Sequence, residues 1–560
     1  MTRPVTHSFR NCGRSLATQR FPTPKTHQTH PTIATMKTIS IFNHVLGPVM
    51  RGPSSSHTAG AYHIASMARS LLAGTPCKAV LAFDPDGSYA VTYATQGADR
   101  GFAMGLMGKP LTDESFFTSL QDATQAALEI EFRVEKLAHP DHPNTVKIDL
   151  TAADGKQMQV VARSIGGGEV EITQIDGRPV LFNGSAYETL LEVSTDKADA
   201  AFELLTRLGE AVEEPAISRT DDVMRLTSRR SAALPASFGE EFRALDGSGR
   251  VWESTPVYFI QKSEPIFTSA IELVEIAEKR GVSLGELALA SEAQQLGMSE
   301  AEIKEEVLRR YDIMVRSVER GLDLEFTGLQ LLPACAGSIF NAEAEGRLSV
   351  RSLHTRAAAR AMAVMHVDGA MGVVCAAPTG GSAGVIPGTL VTLAEERSLA
   401  REQIAQALLA AGCIGSILAI RATFAAEIAG CQVEIGASGA MAAAAVVDAV
   451  GGTARQACDA AAISFQNTMG TVCDLLHGMV EIPCHTRNGA AAANAFVNAD
   501  LVLGGYPNFI PLDETIDAVY AVGLAMPSEL RCTSKGGLAV TPSALAMKPG
   551  CCASGCPSCK

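Results

Sequence analysis

Beyond Arg351 the sequence becomes rich in alanine and glycine, and the apolar–polar alternation expected of strands disappears. Such a composition leaves few ways to build a core. Small side chains let helices pack closely, and glycine lets backbone approach a ligand, so an all-α domain around a buried site is the simplest account. Residues 403–420, "QIAQALLAAGCIGSILAI", carry no charge and lie between Glu402 and Arg421. Gly, Ser and Gln dilute their apolar content, so a buried helix of a large domain is the expectation rather than a membrane span. The chain has 560 residues, 47% of them apolar, which is enough for more than one core.

The formal charge is −14. No basic stripe points to nucleic acid and no Lys/Arg run to an anionic membrane, leaving a small-molecule enzyme or binding protein. Fourteen cysteines are diluted over a long chain without a secretory signal, which excludes a small disulfide scaffold. They are instead core filler, nucleophiles or soft metal ligands. No acidic residue occurs before Asp84, and residues 1–35 partly match an organelle transit segment. An upstream start before Met36 is the plainer reading, so residues 1–35 are set apart from the fold and a cytoplasmic location is expected.

Residues 36–185 read as α+β. The stretch "GPSSSHTAGAYHIASMARSLL" is a loop feeding a helix, with Ser56 or Thr58 as N-cap, and "TVKIDLTAADGKQMQVVARS" is a hairpin around "ADG". Residues 186–260 follow a βαββαβ order that resembles a ferredoxin-like unit of the ACT regulatory kind. From 261 to 545 the pattern is helical; "IELVEIAEKRGVSLGELALASEAQQLG" and "EAEIKEEVLRRYDIMVRSVERGL" place acids early and bases late. Residues 546–560 form a cysteine-rich tail.

Three cysteines have distinctive neighbours: Cys431 in "AGCQVEIG", Cys473 in "TVCDLLHG" and Cys484 in "EIPCHTRNG". Their separations, 42 and 11, fit no standard local ligand motif, and buried apolar cysteines are an equally simple reading of the spacing. In "GPSSSHTAG", hydroxyls and free backbone N–H groups ahead of a helix could converge on a carboxylate, and His57 could move a proton near neutral pH. A serine-rich cap with a surface histidine is the rival. "APTGGSAGVIPG" suits anion binding or a plain turn.

Together these motifs resemble the iron–sulfur-dependent L-serine dehydratases (L-serine ammonia-lyases) in single-chain form, from Met36 to about Val540. "GPSSSHT" and "SIGGG" (Ser164–Gly168) match that family's smaller β-type domain; "APTGGSAGVIP", "GCQVEIG", "CDLLHGMVEIPCHTRN" and "TSKGGLAV" match its α domain in order. The resemblance implies a [4Fe–4S] cluster on Cys431, Cys473 and Cys484, with an open iron as Lewis acid for loss of serine's hydroxyl. It implies His57 as main acid/base and His63 second. Ser54, Ser55, Ser56, Thr379 and Ser382 would orient the substrate, Arg487 would neutralise cluster or substrate, and Lys535 lies in a matching motif. A homodimer is the family's usual assembly. The chain departs from the pattern at Gly380, where Asn is usual, at Leu475–His477, where "CDPVGG" is usual, and at "SFQNTMG", where a histidine pair is usual.

A pyridoxal-phosphate enzyme would need a Schiff-base lysine, and none occurs between Lys304 and Lys535. Lyases of L-threonine or L-cysteine, and a non-catalytic amino-acid or redox sensor, are the alternatives on the same fold. For the tail, three readings stand open: Cys551 or Cys552 as fourth cluster ligand, a zinc or redox clip, or an unstructured end.

Overall fold

The computed structural model describes residues 38–138, 140–220 and 223–550. Residues 1–35 and the tail cysteines Cys551 and Cys552 lie outside the described residues. The chain is mixed α/β toward its N-terminus and largely helical beyond Ala270. A six-stranded sheet runs in the order Glu129–Val134, Pro76–Phe83, Thr145–Ala152, Gln157–Gly166, Glu169–Ile175, Arg178–Phe182. Only its first pair is parallel. Thr145–Ala152 alternates buried with partly buried positions, so one face can pack beneath the helix Gly60–Leu72. A separate four-stranded antiparallel sheet has the order Arg250–Ser254, Tyr187–Ser194, Val223–Arg230, Ala211–Thr220. The helices Ala198–Arg207 and Phe238–Leu245 cover it through Leu204, Leu205 and Phe242.

The helical part is assembled from local signals. The stretch around "EKRGVSLGEL" is two helices, Ala270–Arg280 and Leu284–Leu296, parted at Gly281, whose φ of 66° ends the first. Ser283 and Glu286 restart the chain with a reciprocal capping box, and Ser299 with Glu302 does the same for Glu300–Leu322. At the centre, all 15 residues of Ile435–Ala449 are buried. They pack among Arg401–Arg421, Ala454–Thr468 and Cys484–Leu503. Alanine permits this, because a helix without bulk can be surrounded on every side. Glycine does so where backbones meet: a Cβ on Gly388 would lie 2.7 Å from the Ala357 carbonyl oxygen. Arg401–Arg421 is long and apolar enough to cross a membrane, yet 83% of its most apolar stretch is buried inside the protein.

Two expectations change. The first helix is capped neither by Ser56 nor by Thr58. Residues Ser55–Ala59 wind as a wider π-type turn, which moves the cap back to Ser54, whose hydroxyl accepts from the His57 N–H. Strand structure also does not vanish after Arg351: Val373–Cys375 pairs antiparallel with Val49–Arg51, Met50 opposite Val374. Ahead of that ladder, buried Glu292 accepts from the Ser40 hydroxyl at 2.6 Å and from the Ile41 and Phe42 N–H groups. The N-terminal segment is thereby fastened to the helical part, and the serine loop that follows it starts from there.

Candidate functional site

The serine loop and the "PTGG" turn meet. The Gly380 N–H donates to Ser55 Oγ at 3.4 Å, and a Cβ at position 380 would sit 2.9 Å from the Pro53 carbonyl oxygen. Gly380 is therefore the residue that lets the two loops touch, which gives this departure a steric reason. Thr379 and Ser382 are buried with their hydroxyls 3.0 Å apart.

His57 is buried between hydroxyls. Its Nδ1 lies 3.0 Å from Ser54 Oγ and its Nε2 2.9 Å from Ser88 Oγ, while the ring meets Tyr89 edge-on. Glu427 Oε1 stands 3.8 Å from Nδ1 and accepts from Asn144 Nδ2. Burial, then His142, pushes the imidazole down to about 3. Burial likewise raises the Glu427 carboxyl. Ser55 and Ser56 are buried in the same turn, and the Ser56 carbonyl accepts from the Tyr89 hydroxyl. His63 is engaged elsewhere: its Nδ1 is 2.9 Å from the Gly168 carbonyl oxygen, which the Tyr258 hydroxyl also reaches. Its ring holds the "SIGGG" segment, and burial lowers it to about 4.

The three cysteines converge from distant elements. Cys431 opens a 3₁₀ turn after Gly430, Cys484 opens the helix Cys484–Leu503, and Cys473 is held in an extended bridge to Arg531. Ligand atoms of Cys431, Cys473 and Glu434 all lie within 4.8 Å of one another. Cys484 is close enough for burial and then Cys431 to raise its thiol well above the usual range. Cys431 is raised by its hydrogen bond with Cys473 and by burial. Glu434 is pushed up to about 8 by burial and by Glu427, and interacts with Thr379 and Cys431. Arg487 is the local cation, its Nη1 2.9 Å from both Asp474 Oδ1 and the Val472 carbonyl oxygen.

This arrangement fits a metal group. Three buried thiols, buried Glu427 and partly buried Glu434 stand with one half-buried cation, Arg487, while Arg531 and Lys535 lie at the cavity wall, so acidic groups outnumber cations at the thiols. Around them stand polar atoms without partners: both carboxylate oxygens of buried Asp368, and Nε2 of His485. A cavity of about 250 Å³ opens beside the group; Ser88, Glu427, Arg531, Thr533 and Lys535 are in its wall. Lys535 is exposed at this wall rather than buried with the thiols.

Sequence reasoning missed Glu427, Glu434 and Ser88. A signal existed for the two acids, which interrupt an Ala/Gly-rich, charge-poor stretch on either side of Cys431. Ser88 carried none, since only the fold brings residues 57 and 88 together.

Comparison with known proteins adds a family. Residues 279–539 match the family model described as serine dehydratase alpha chain. The chain is 37% identical over 278 residues to a probable L-serine dehydratase alpha chain of Bacillus subtilis, covering 50% of this chain and 93% of that one. It is 35% identical over 275 residues to the L-serine dehydratase alpha chain of Peptoniphilus asaccharolyticus, covering 49% and 94%. A probable L-serine dehydratase beta chain of Bacillus subtilis is 42% identical over 162 residues, covering 29% of this chain and 71% of that one.

Proposed function

This chain belongs to the iron–sulfur-dependent L-serine dehydratase family, and from that premise we propose that it deaminates L-serine to pyruvate and ammonia. The observation that carries this reading is the convergence of Cys431, Cys473 and Glu434 with Cys484 beside a cavity walled by Ser88 and Glu427. A [4Fe–4S] cluster held by Cys431, Cys473 and Cys484 would supply a Lewis acid that turns the serine hydroxyl into a leaving group.

The protein's own groups do the rest. His57 accepts the α-proton at Nε2, the nitrogen on the Ser88 side facing the cavity wall, and Glu427 on the Nδ1 side steadies the imidazolium that forms. Ser54 fixes the ring. Glu434, beside the thiols and Thr379, is the acid placed to protonate the departing hydroxyl. Loss of proton and water leaves an enamine, which tautomerises to an imine and hydrolyses. Arg531 and Lys535 in the cavity wall attract the substrate carboxylate, and Thr379 and Ser382 orient it deeper in. Arg487 offsets the thiolates. The four-stranded module of residues 186–260 reads as an ACT-like unit, and the assembly as a cytoplasmic homodimer.

Anaerobically reconstituted protein tested with L-serine, L-threonine and L-cysteine decides the substrate. Serine is expected to give the highest kcat/KM, by about tenfold or more over threonine, whose extra methyl must enter a buried site. Faster sulfide release from cysteine, or binding without turnover, would contradict the assignment.

A further inference from the structure

The acids around the thiols are mostly committed to partners. Glu427 accepts from Asn144 Nδ2 and faces His57, Glu434 Oε2 stands 3.8 Å from Cys431 Sγ, and Asp474 pairs with Arg487. Glu481 accepts from the backbone N–H groups of Gln330, Leu331 and Leu332 at 2.7, 2.8 and 2.9 Å. Asp368 is different. It is fully buried at the end of the helix Leu353–Gly369, and neither of its carboxylate oxygens has a partner among the described residues. Its position depends on glycine. A Cβ on Gly52 would lie 2.3 Å from Asp368 Oδ1, so only a residue without a side chain lets the serine loop begin against this carboxyl. The same loop meets Gly380 through Pro53 and Ser55, and a Cβ on the next residue, Gly381, would lie 3.7 Å from both Glu434 oxygens. Asp368 thus stands on the Gly52 side of the two joined loops, with Glu434 on the Gly381 side. Electrostatic interaction reaches from Asp368 to Glu434 and to the Cys484 thiol.

We propose, resting on the function proposed above, that Asp368 receives the α-ammonium of L-serine. The substrate carboxylate is met by Thr379 and Ser382 and the departing hydroxyl by Glu434, which leaves the ammonium without an acceptor. An ammonium has only donors, three of them, and a carboxylate only acceptors. A carboxylate bare inside a protein is unfavourable, and an ion pair made there is little screened by salt. Glu427 is committed to the His57 side and Glu434 to the thiols, so the group with free acceptors is Asp368. Burial and then Glu434 raise its carboxyl well above the usual range before substrate enters. As the ammonium arrives, the carboxyl proton leaves to solvent and the two opposite charges pair.

The test uses anaerobically reconstituted full-length protein and Asp368→Asn, which keeps the shape and removes the charge. KM and kcat are measured for L-serine. The inhibition constant is measured for 3-hydroxypropanoate, which has serine's carboxylate and hydroxyl but a hydrogen in place of the ammonium. Asp368→Asn should load iron as wild type does. It should raise the serine KM by about tenfold or more, the worth of a buried charge-assisted hydrogen bond, and by a larger factor than it lowers kcat. Inhibition by 3-hydroxypropanoate should stay within about twofold of wild type, because that molecule never makes the contact. An unchanged serine KM, or equal weakening of serine and 3-hydroxypropanoate, would overturn the assignment while leaving serine deamination standing. Iron loss in the variant would overturn it as well, by placing Asp368 with the metal group rather than the substrate. Wild type that releases no pyruvate would overturn both readings. Should Asp368→Asn fail to fold, the smaller Asp368→Ser carries the same two readouts.

Discussion

Replacing Cys431 with alanine should leave a folded chain that binds no stable cluster and forms pyruvate only at background. Cys431 touches both Cys473 and Glu434, so its loss removes the middle of the ligand group rather than one edge. Cys473→Ala and Cys484→Ala should behave alike. The control is Cys413→Ala, in the fully buried part of Arg401–Arg421. There the lost sulfur leaves a small cavity costing about 1 kcal/mol, with iron content and turnover unchanged. Iron and sulfide per chain, measured beside circular dichroism, separates ligand from core filler. Cys431→Ala with normal iron would remove Cys431 from the ligand set.

His57→Gln should lower turnover by roughly 10²–10⁴-fold while keeping hydrogen bonds to Ser54 and Ser88 within reach. The same variant carries a pH signature. The folded ring is held down to about 3, against an ordinary value of 6.5. Between those values the unfolded chain binds a proton that the native chain refuses. The native state therefore loses stability as pH falls below 6.5, by about 1.4 kcal/mol per unit for this ring. Above 6.5 the contribution is fully present and flat. Urea unfolding of wild type and His57→Gln at pH 7 and pH 5.5 isolates the ring, because every other titrating group is common to both. The difference should shift by about 1.3 kcal/mol toward the variant at the lower pH. Parallel pH dependence would mean that the buried ring is not kept neutral by the fold.

Features set by neighbouring residues were legible in the sequence. The helical character of residues 270–322 and the hairpin around Gly155 depend on a few adjacent side chains, whereas the break at Gly281 and the restart at Ser283 were not read. The helical character of the Ala/Gly-rich half was legible too. What escaped depends on contacts between distant segments. Val373–Cys375 is three residues long and is a strand only because Val49–Arg51 lies beside it. The move of the cap to Ser54 follows from a π-type turn that no propensity announces. Glu427 and Glu434 are pushed above the ordinary carboxylate range, and gain chemical interest, only once the fold buries them near each other. The three cysteine contexts stood out in the sequence.

The central claim is that these thiols hold a [4Fe–4S] cluster serving serine deamination. Its most direct test is iron and acid-labile sulfide counting on the anaerobically reconstituted wild-type chain, with pyruvate release from L-serine followed in the same sample. The account predicts about four irons and four sulfides per chain, with turnover that rises with cluster content and falls as air removes it. An air-stable, iron-free protein that converts serine to pyruvate at full rate would contradict it.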